Sequence, residues 1–382
     1  MITRKSRKWN TCLINLKILS KIVFISLSLC IIFMPRLSEA EYIYEEVWPT
    51  DWTGVYAQGI NNSSTVVGWG SDAGYSYKGF ICSAGSYTNC TELLPTISSS
   101  TWDSVSGVSG INNYNIAAGW GYDANLTAKG FIYNSGSYSY TELKDSSWNG
   151  AWAYDINDSG IVAGGANNAS SIDVGYFYNN GTYTQLLPAG WDWADARSIN
   201  NNNMVAGFGS VTVGVTTTTQ GFLYDIGTIS WEYINPGYWD TAMVYDINDN
   251  GLVVGGGTGG GFIYDSNTDT YTILDVAWLT SEWAYGINNN GDVVGWGNDA
   301  YNNRLGFVYS NGVYTPIKPD GWLSAEAYGI NDNGAIVGFG DDFTMTKGFV
   351  ATPEPISSIL FVTGGAVLAG RRYLKKRSQG RA

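Results

Sequence analysis

An Ile-Asn pair recurs along this chain at Ile60, Ile111, Ile156, Ile199, Ile247, Ile287 and Ile330, a mean spacing of 45 residues. A period of that size means one small unit built repeatedly, because a single unit cannot bury its own apolar face. Each unit follows the script of "WAYGINNNGDVVGWGNDAYNNRLGFVYSNGVYTPIKP". Four short runs rich in β-branched and aromatic residues alternate with Asn-, Gly- and Asp-rich turns, which predicts four antiparallel strands, a to d. The repeat region has no helical period. Four strands per unit make a blade of a β-propeller; an open solenoid is the alternative, and it needs polar caps on its end repeats.

The last repeat separates the two. It supplies "AYGIN", "AIVGFG" and "GFVA", then stops at Pro353 without a strand d. The region opens with "YIYEEVWP", which matches "VYTPIKP" in position. Residues 41–352 are therefore expected to form an all-β, seven-bladed propeller, four antiparallel strands per blade, whose ring the N-terminal strand closes by completing the last blade.

Both ends read as addresses. Residues 1–40 carry a basic stretch (Arg4, Lys5, Arg7, Lys8), the apolar run Ile22–Met34, and small residues up to Ala40. That pattern is a signal peptide cleaved after Ala40 by signal peptidase. Residues 353–382 begin with Pro353, Glu354 and Pro355. An apolar stretch from Ile356 to Gly370 follows, then a basic tail that opens with Arg371 and Arg372. The stretch is shorter than the ~20 residues of a stable spanning helix, so it suits a transient membrane handle. The ordered motif, span and basic cluster resemble the PEP-CTERM sorting signal. The "GINNNGDVVGW … GFVY" pattern resembles the HAF-type extracellular repeats, with one departure: the namesake His-Ala-Phe is Lys-Gly-Phe or Leu-Gly-Phe here, and the chain has no histidine. The resemblance implies export, recognition by an exosortase-type enzyme, and a place on the cell surface or in the extracellular matrix. It implies no activity.

Charge and composition narrow the function classes. Between the two signals stand seven basic and 31 acidic residues, a balance of −24 that repels nucleic acid and anionic lipid. Without histidine there is no imidazole base, no Ser-His-Asp triad and no His-ligated metal. The glycines of "GGGTGGG" join two strands with no helix after them, so they cradle no phosphate, and no cofactor is expected. Cys82 and Cys90 flank "SAGSYTN" and are expected to pair in an oxidising compartment; two separate thiols are the alternative.

Aromatic residues are the first candidate ligand contacts. A Trp stands eight or nine residues before each Ile: Trp52, Trp102, Trp148, Trp191, Trp239, Trp278 and Trp322. Such regularity points to packing at the crossovers between neighbours. Trp48, Trp152, Trp193 and Trp283 break the pattern, in or just after the d-to-a crossovers, and are the ligand candidates, with core filling as the alternative. Four blades carry an Asp twelve residues after the Ile (Asp72, Asp123, Asp299, Asp342) and a base before strand c (Lys78, Lys129, Arg304, Lys347), expected as solvated ion pairs across the b–c hairpin. These blades, six, seven, one and two, form one arc if the ring closes, and blades three to five lack the set. "DINDSG" and "DINDNG", with Asp155, Asn157, Asp246 and Asn248, resemble the start of a calcium loop, although hairpin chemistry explains them without metal. The expectation is a non-enzymatic exported module that binds exopolysaccharide or a surface protein through its crossover face. A carbohydrate-active enzyme with paired carboxylates and an inert spacer are the alternatives.

Overall fold

The runs of each repeat pair in chain order, a to b to c to d. The computed structural model describes residues 42–97 and 100–354, which form seven such antiparallel sheets. In blade six the strands are Ser281–Ile287, Val293–Asn298, Arg304–Ser310 and Val313–Ile317. Blade seven takes Glu326–Ile330, Ile336–Asp341 and Thr346–Pro353 from the end of the region and Tyr42–Val47 from its beginning. Tyr42 lies opposite Pro353 and Val47 opposite Gly348, so the first strand closes the ring as expected. Blade two adds the short strand Thr96–Ile97 beside the start of its strand a. Ala40, Pro355, Arg371 and Arg372 fall outside the described residues.

The repeated glycines and aromatics have one packing logic. In every blade a strand-b glycine lies beneath a strand-c ring: a Cβ on Gly68 would meet Phe80 at 2.6 Å, and one on Gly338 would meet Phe349 at 2.7 Å. Phe80, Phe131, Phe222, Phe262, Phe307 and Phe349 are fully buried by this arrangement, with Tyr176 in the same place in blade three. Six of the seven regular tryptophans stand over the same rings; Trp52 is 5.8 Å from Phe80 and Trp322 is 6.0 Å from Phe349. The regular Trp covers its own blade's ring and, as expected, also joins neighbours: Trp52, Trp102, Trp239 and Trp322 each sit in a core shared with the preceding blade. Blade six departs: Leu279 fills the slot over Gly297, and Trp278 leans outward with 36% of its surface exposed.

The Ile-Asn pair closes one end of the ring. Asn61, Asn112, Asn157, Asn200, Asn248, Asn288 and Asn331 are all buried. The Nδ2 of each donates to the main-chain oxygen of its counterpart in the next blade at 2.9–3.0 Å, and Asn331 returns to Asn61. Each Oδ1 caps its own turn, as Asn200 does for Asn202 N–H and Met204 N–H. The residue after each Asn forms a second closed circle, its N–H donating to the next side-chain oxygen from Asn62 round to Asp332. Buried amides are costly unless paired, and here one residue type pairs them all the way round. The described chain enters and leaves beside this belt, since a Cβ on Gly334 in the blade-seven turn would lie 3.1 Å from Pro353. Crossovers and b–c hairpins occupy the opposite face.

Candidate functional site: the central channel

Strand a is innermost in every blade, and a β-bulge interrupts it one turn above the belt. The register slips between Ala57 and Gly59, between Ala153 and Asp155, between Ala196 and Ser198, and at the matching place in the other four blades. A bulge leaves one residue unpaired and re-aims its neighbour. Two tiers consequently line the channel. The bulged tier is Gln58, Ser109, Tyr154, Arg197, Tyr245, Tyr285 and Tyr328; the tier below is Gly59, Gly110, Asp155, Ser198, Asp246, Gly286 and Gly329. Together with Trp69, Trp120 and Trp152 from above, they enclose a cavity of about 700 Å³.

The lower tier divides the ring in two. In blades one, two, six and seven glycine is required, because the next blade's bulged backbone fills the place of a side chain. A Cβ on Gly59 would meet Ser109 O at 2.1 Å, and one on Gly286 would meet Tyr328 O at 2.5 Å. In blades three to five side chains bridge the blades instead. Ser198 Oγ lies 2.8 Å from Asp155 Oδ2 and 2.7 Å from Asp246 Oδ1. Asp155 Oδ2 also accepts Ile199 N–H, and Asp246 Oδ2 accepts Ile287 N–H, each at 2.9 Å. The two carboxyls lie deep in the protein yet keep some surface toward the lumen, whereas Ser198 is 3% exposed. Burial, then the charge of Asp155, pushes Asp246 up to about 7; burial also raises Asp155.

Above them stands an ion pair. Arg197 reaches Asp195 Oδ2 at 2.8 Å and lies over the rings of Tyr154 (4.5 Å) and Phe208 (5.2 Å). Burial pushes Asp195 up to about 6 against the opposing pull of Arg197. Among the described residues Arg197 Nε has no hydrogen-bond partner, while the Tyr154 hydroxyl also works against the rise at Asp195. Asp195 fits only because blade three has Gly165 beside it, 2.4 Å from where a Cβ would stand. On the far wall Tyr245 and Tyr285 stack at 4.6 Å, and Tyr328 follows at 4.9 Å. Tyr328 donates to Glu326, whose other oxygen pairs with Arg304.

The structure separates the four off-pattern tryptophans. Trp152 lines the cavity and faces Gly165, the large-against-small pairing that the repeat register predicts. Trp283 packs across Gly256 of the neighbouring blade, Trp193 sits edge-on to Phe208 at 5.8 Å, and Trp48 rests on the blade-one core with Lys347 at 5.8 Å. Those three are half-buried and do not line the cavity. Well-exposed rings stand elsewhere: Tyr75 (83%), Tyr301 (87%) and Phe343 (73%) at b–c hairpin tips, and Tyr114 and Tyr138 on the belt-side turns of blade two. Tyr75 and Phe343 sit at φ 62° and 76°, strained for any side chain. The charge pattern of the hairpins does not point to these rings; an aromatic among Asp, Asn and Gly is the signal that does.

The remaining candidates also find places. Lys78, Lys129 and Lys347 pair with Asp72, Asp123 and Asp342 at 3.2, 3.3 and 2.9 Å, and each also reaches a strand-d glutamate. Arg304 corrects the expected pattern: it turns to Glu326 in the next blade, over Trp296, while Asp299 caps its own loop through Tyr301 N–H and Asn303 N–H. Asp155 and Asp246 face the channel, whereas the oxygens of Asn157 and Asn248 cap turns within the belt. The loop starts thus do not gather oxygens at one point. Cys82 and Cys90 form a disulfide that holds the end of strand c to the c–d loop of blade one. Pro353 ends the last strand, with Glu354 next to it.

No protein-family model matches the chain, and no curated protein matches it by sequence. A chain of the mitotic checkpoint complex aligns with a TM-score of 0.50 over 83% of this chain and 96% of its own, at 11% identity. A puromycin-hydrolyzing peptidase of Mycobacterium tuberculosis aligns with a TM-score of 0.52 over 78% of this chain and 55% of its own, at 10% identity. The β-propeller domain of the Trilobed protease from Pyrococcus furiosus aligns at 0.48 over 70% of this chain and 84% of its own, at 10% identity. At such identities the likeness speaks to the fold alone.

Proposed function

We propose that this chain is an exported cell-surface or matrix protein, sorted through its tail, that binds glycan on the face bearing the crossovers and b–c hairpins. The supporting observation is the placing of aromatic side chains. Exposed Tyr75, Tyr301 and Phe343 stand on the b–c hairpins of blades one, six and seven, on the channel face away from Tyr42 and Pro353, and the channel walls carry Trp69, Trp120 and Trp152. Sugar rings stack on such faces, and a tether leaving beside the belt keeps this face turned outward. Binding to a glycan array and to matrix polysaccharide is the test. The triple variant Tyr75→Ala/Tyr301→Ala/Phe343→Ala should lose at least tenfold in retention, and Trp152→Ala a similar factor for short oligosaccharides. Unchanged binding by both variants would sink the reading.

A hydrolytic reading draws on the Asp155–Asp246 pair, since two carboxyls sharing one site are one route to acid–base chemistry. Release of new reducing ends from matrix polymer, lost in Asp155→Asn, would favour it over binding alone.

A further inference from the structure

The bridge between Asp155 and Asp246 has a proton-counting problem. Ser198 carries one hydroxyl hydrogen and lies within hydrogen-bond distance of both carboxyls, at 2.8 and 2.7 Å. If both carboxyls were ionised, the hydroxyl could donate to only one, and the other oxygen pair would face each other with nothing between. One proton held by the pair makes both contacts good. The fully buried Ser198 and the main-chain donors Ile199 N–H and Ile287 N–H fix the oxygens, so the group cannot relax by turning away. Burial, by disfavouring a second negative charge, works in the same direction.

The surroundings say what would displace that proton. Arg197 is nearest in sequence, yet Asp195 neutralises it and the rings of Tyr154 and Phe208 cover it. Arg304 is tied to Glu326. Tyr245, Tyr285 and Tyr328 face the cavity as neutral phenols, their ionisation opposed by burial. The cavity floor is therefore negative, with one exchangeable proton and a wall of aromatic faces. Arg197 itself lines the cavity, but its guanidinium is committed to Asp195 and to the ring of Tyr154, so it does not compensate the floor. An anionic sugar is repelled here, and a neutral one gains nothing from the charge. A cation gains both from the carboxylates and from the ring faces.

We propose that the channel floor at Asp155, Ser198 and Asp246 is a recognition site for a primary ammonium group on a sugar-type ligand, which enters between the tyrosines and expels the proton shared by the two carboxyls. The inference rests on the glycan reading and names the charge of the ligand. On binding, the ammonium keeps its own three hydrogens and donates them to the carboxylate oxygens, while the carboxyl proton passes to solvent. Binding strengthens as pH rises through the range where the pair loses its proton, and proton release fades above it.

Calorimetric titration of the full chain with 2-aminoethyl β-glucoside and with its neutral counterpart, ethyl β-glucoside, is the test. Two buffers of different ionisation enthalpy report the protons released. The amine should bind at least tenfold tighter, with up to one proton released near pH 6 and almost none at pH 8.5. Asp246→Asn should abolish both the preference and the release. Ser198→Ala, which changes no charge and little volume, should alter the pH profile while the protein stays folded by circular dichroism. Equal affinity for the two glucosides, lost in Trp152→Ala, would overturn the ammonium site and leave the glycan reading intact. Tighter amine binding with unchanged proton release in Asp246→Asn would place the cation elsewhere and overturn the assignment. Binding of neither glucoside would overturn both.

Discussion

Blades six, seven, one and two form one arc of the ring, and blades three, four and five the other. Both share the belt, the buried strand-c rings and the closed circle of amides, so they differ in what the belt does not fix. In the first arc glycine lets neighbouring inner strands touch backbone to backbone, and charge sits outside, on the b–c hairpins. In the second the rim lacks those lysines, and the acids stand inside, spanning the gaps between blades. The contrast teaches that a repeat can keep its fold constant while exchanging a steric solution for a chemical one at a single position. At that position only the second solution leaves ionisable side chains facing the channel.

The largest effect should come from exchanging the two solutions. Gly59→Ala forces a Cβ against Ser109 O and should cost about 3 kcal/mol by urea unfolding, because packed backbone cannot yield. Ser198→Ala, at the same tier in the other arc, should cost only about 1 kcal/mol, the worth of a side-chain hydrogen bond. Similar costs at both positions would erase the distinction.

The arcs should next respond to pH with opposite sign. Asp246, pushed up to about 7, binds a proton in the folded state that the unfolded chain, with an ordinary value of ~3.9, has released. That contribution is intact below pH ~4 and falls as pH rises to ~7. Asp342 is held below its ordinary range by the Thr344 hydroxyl and Lys347, as Asp72 is by Ser76 N–H and Lys78. Their contribution stands above pH ~4 and is lost as pH falls through their lowered values. In chemical denaturation across pH 3–8, Asp246→Asn should flatten the upper slope and leave the acid limb unchanged. A flat limb in both places would contradict the assignment.

The smallest effect belongs to the rim. Lys347→Met removes contacts to Asp342 and Glu46 at 2.9 and 3.1 Å, and should cost about 0.5 kcal/mol at low salt. In 1 M salt the difference should vanish, since exposed pairs are screened. A loss that survives salt would mean that these lysines hold the arc together by packing.

Much of this was legible from period two and the 45-residue repeat. Strand closure, the pairing of Trp152 with Gly165 and of Met243 with Gly256, and the unusual Trp283–Trp296 pair all follow from counting outward from the Asn turn. The count fails at the bulge. There Tyr154 and Asp155, or Arg197 and Ser198, both reach the lumen, which strict alternation forbids. The same irregularity explains the tryptophans at nine residues. In blade two extra bulges carry Trp102 back into place, whereas in blade six Leu279 takes the slot and frees Trp278. "DIN" and "SIN" in place of "GIN" stood in plain view as the signature of the acid arc. Its meaning required knowing that this residue meets the next blade, information no single repeat contains. The belt was hidden likewise: an Asn that nucleates its own turn looks complete until a neighbour's carbonyl is placed beside it.

Closure by the first strand also orders events in time. Ile43 and Thr352 touch across the last blade although 309 residues separate them, so an emerging chain must hold its opening strand without a partner through seven repeats. Neither the circle of amides nor the channel floor can be finished before the last repeat has been made. A truncated product therefore lacks more than a blade; it has no intact lumen. Completion of the channel and completion of the chain become one checkpoint.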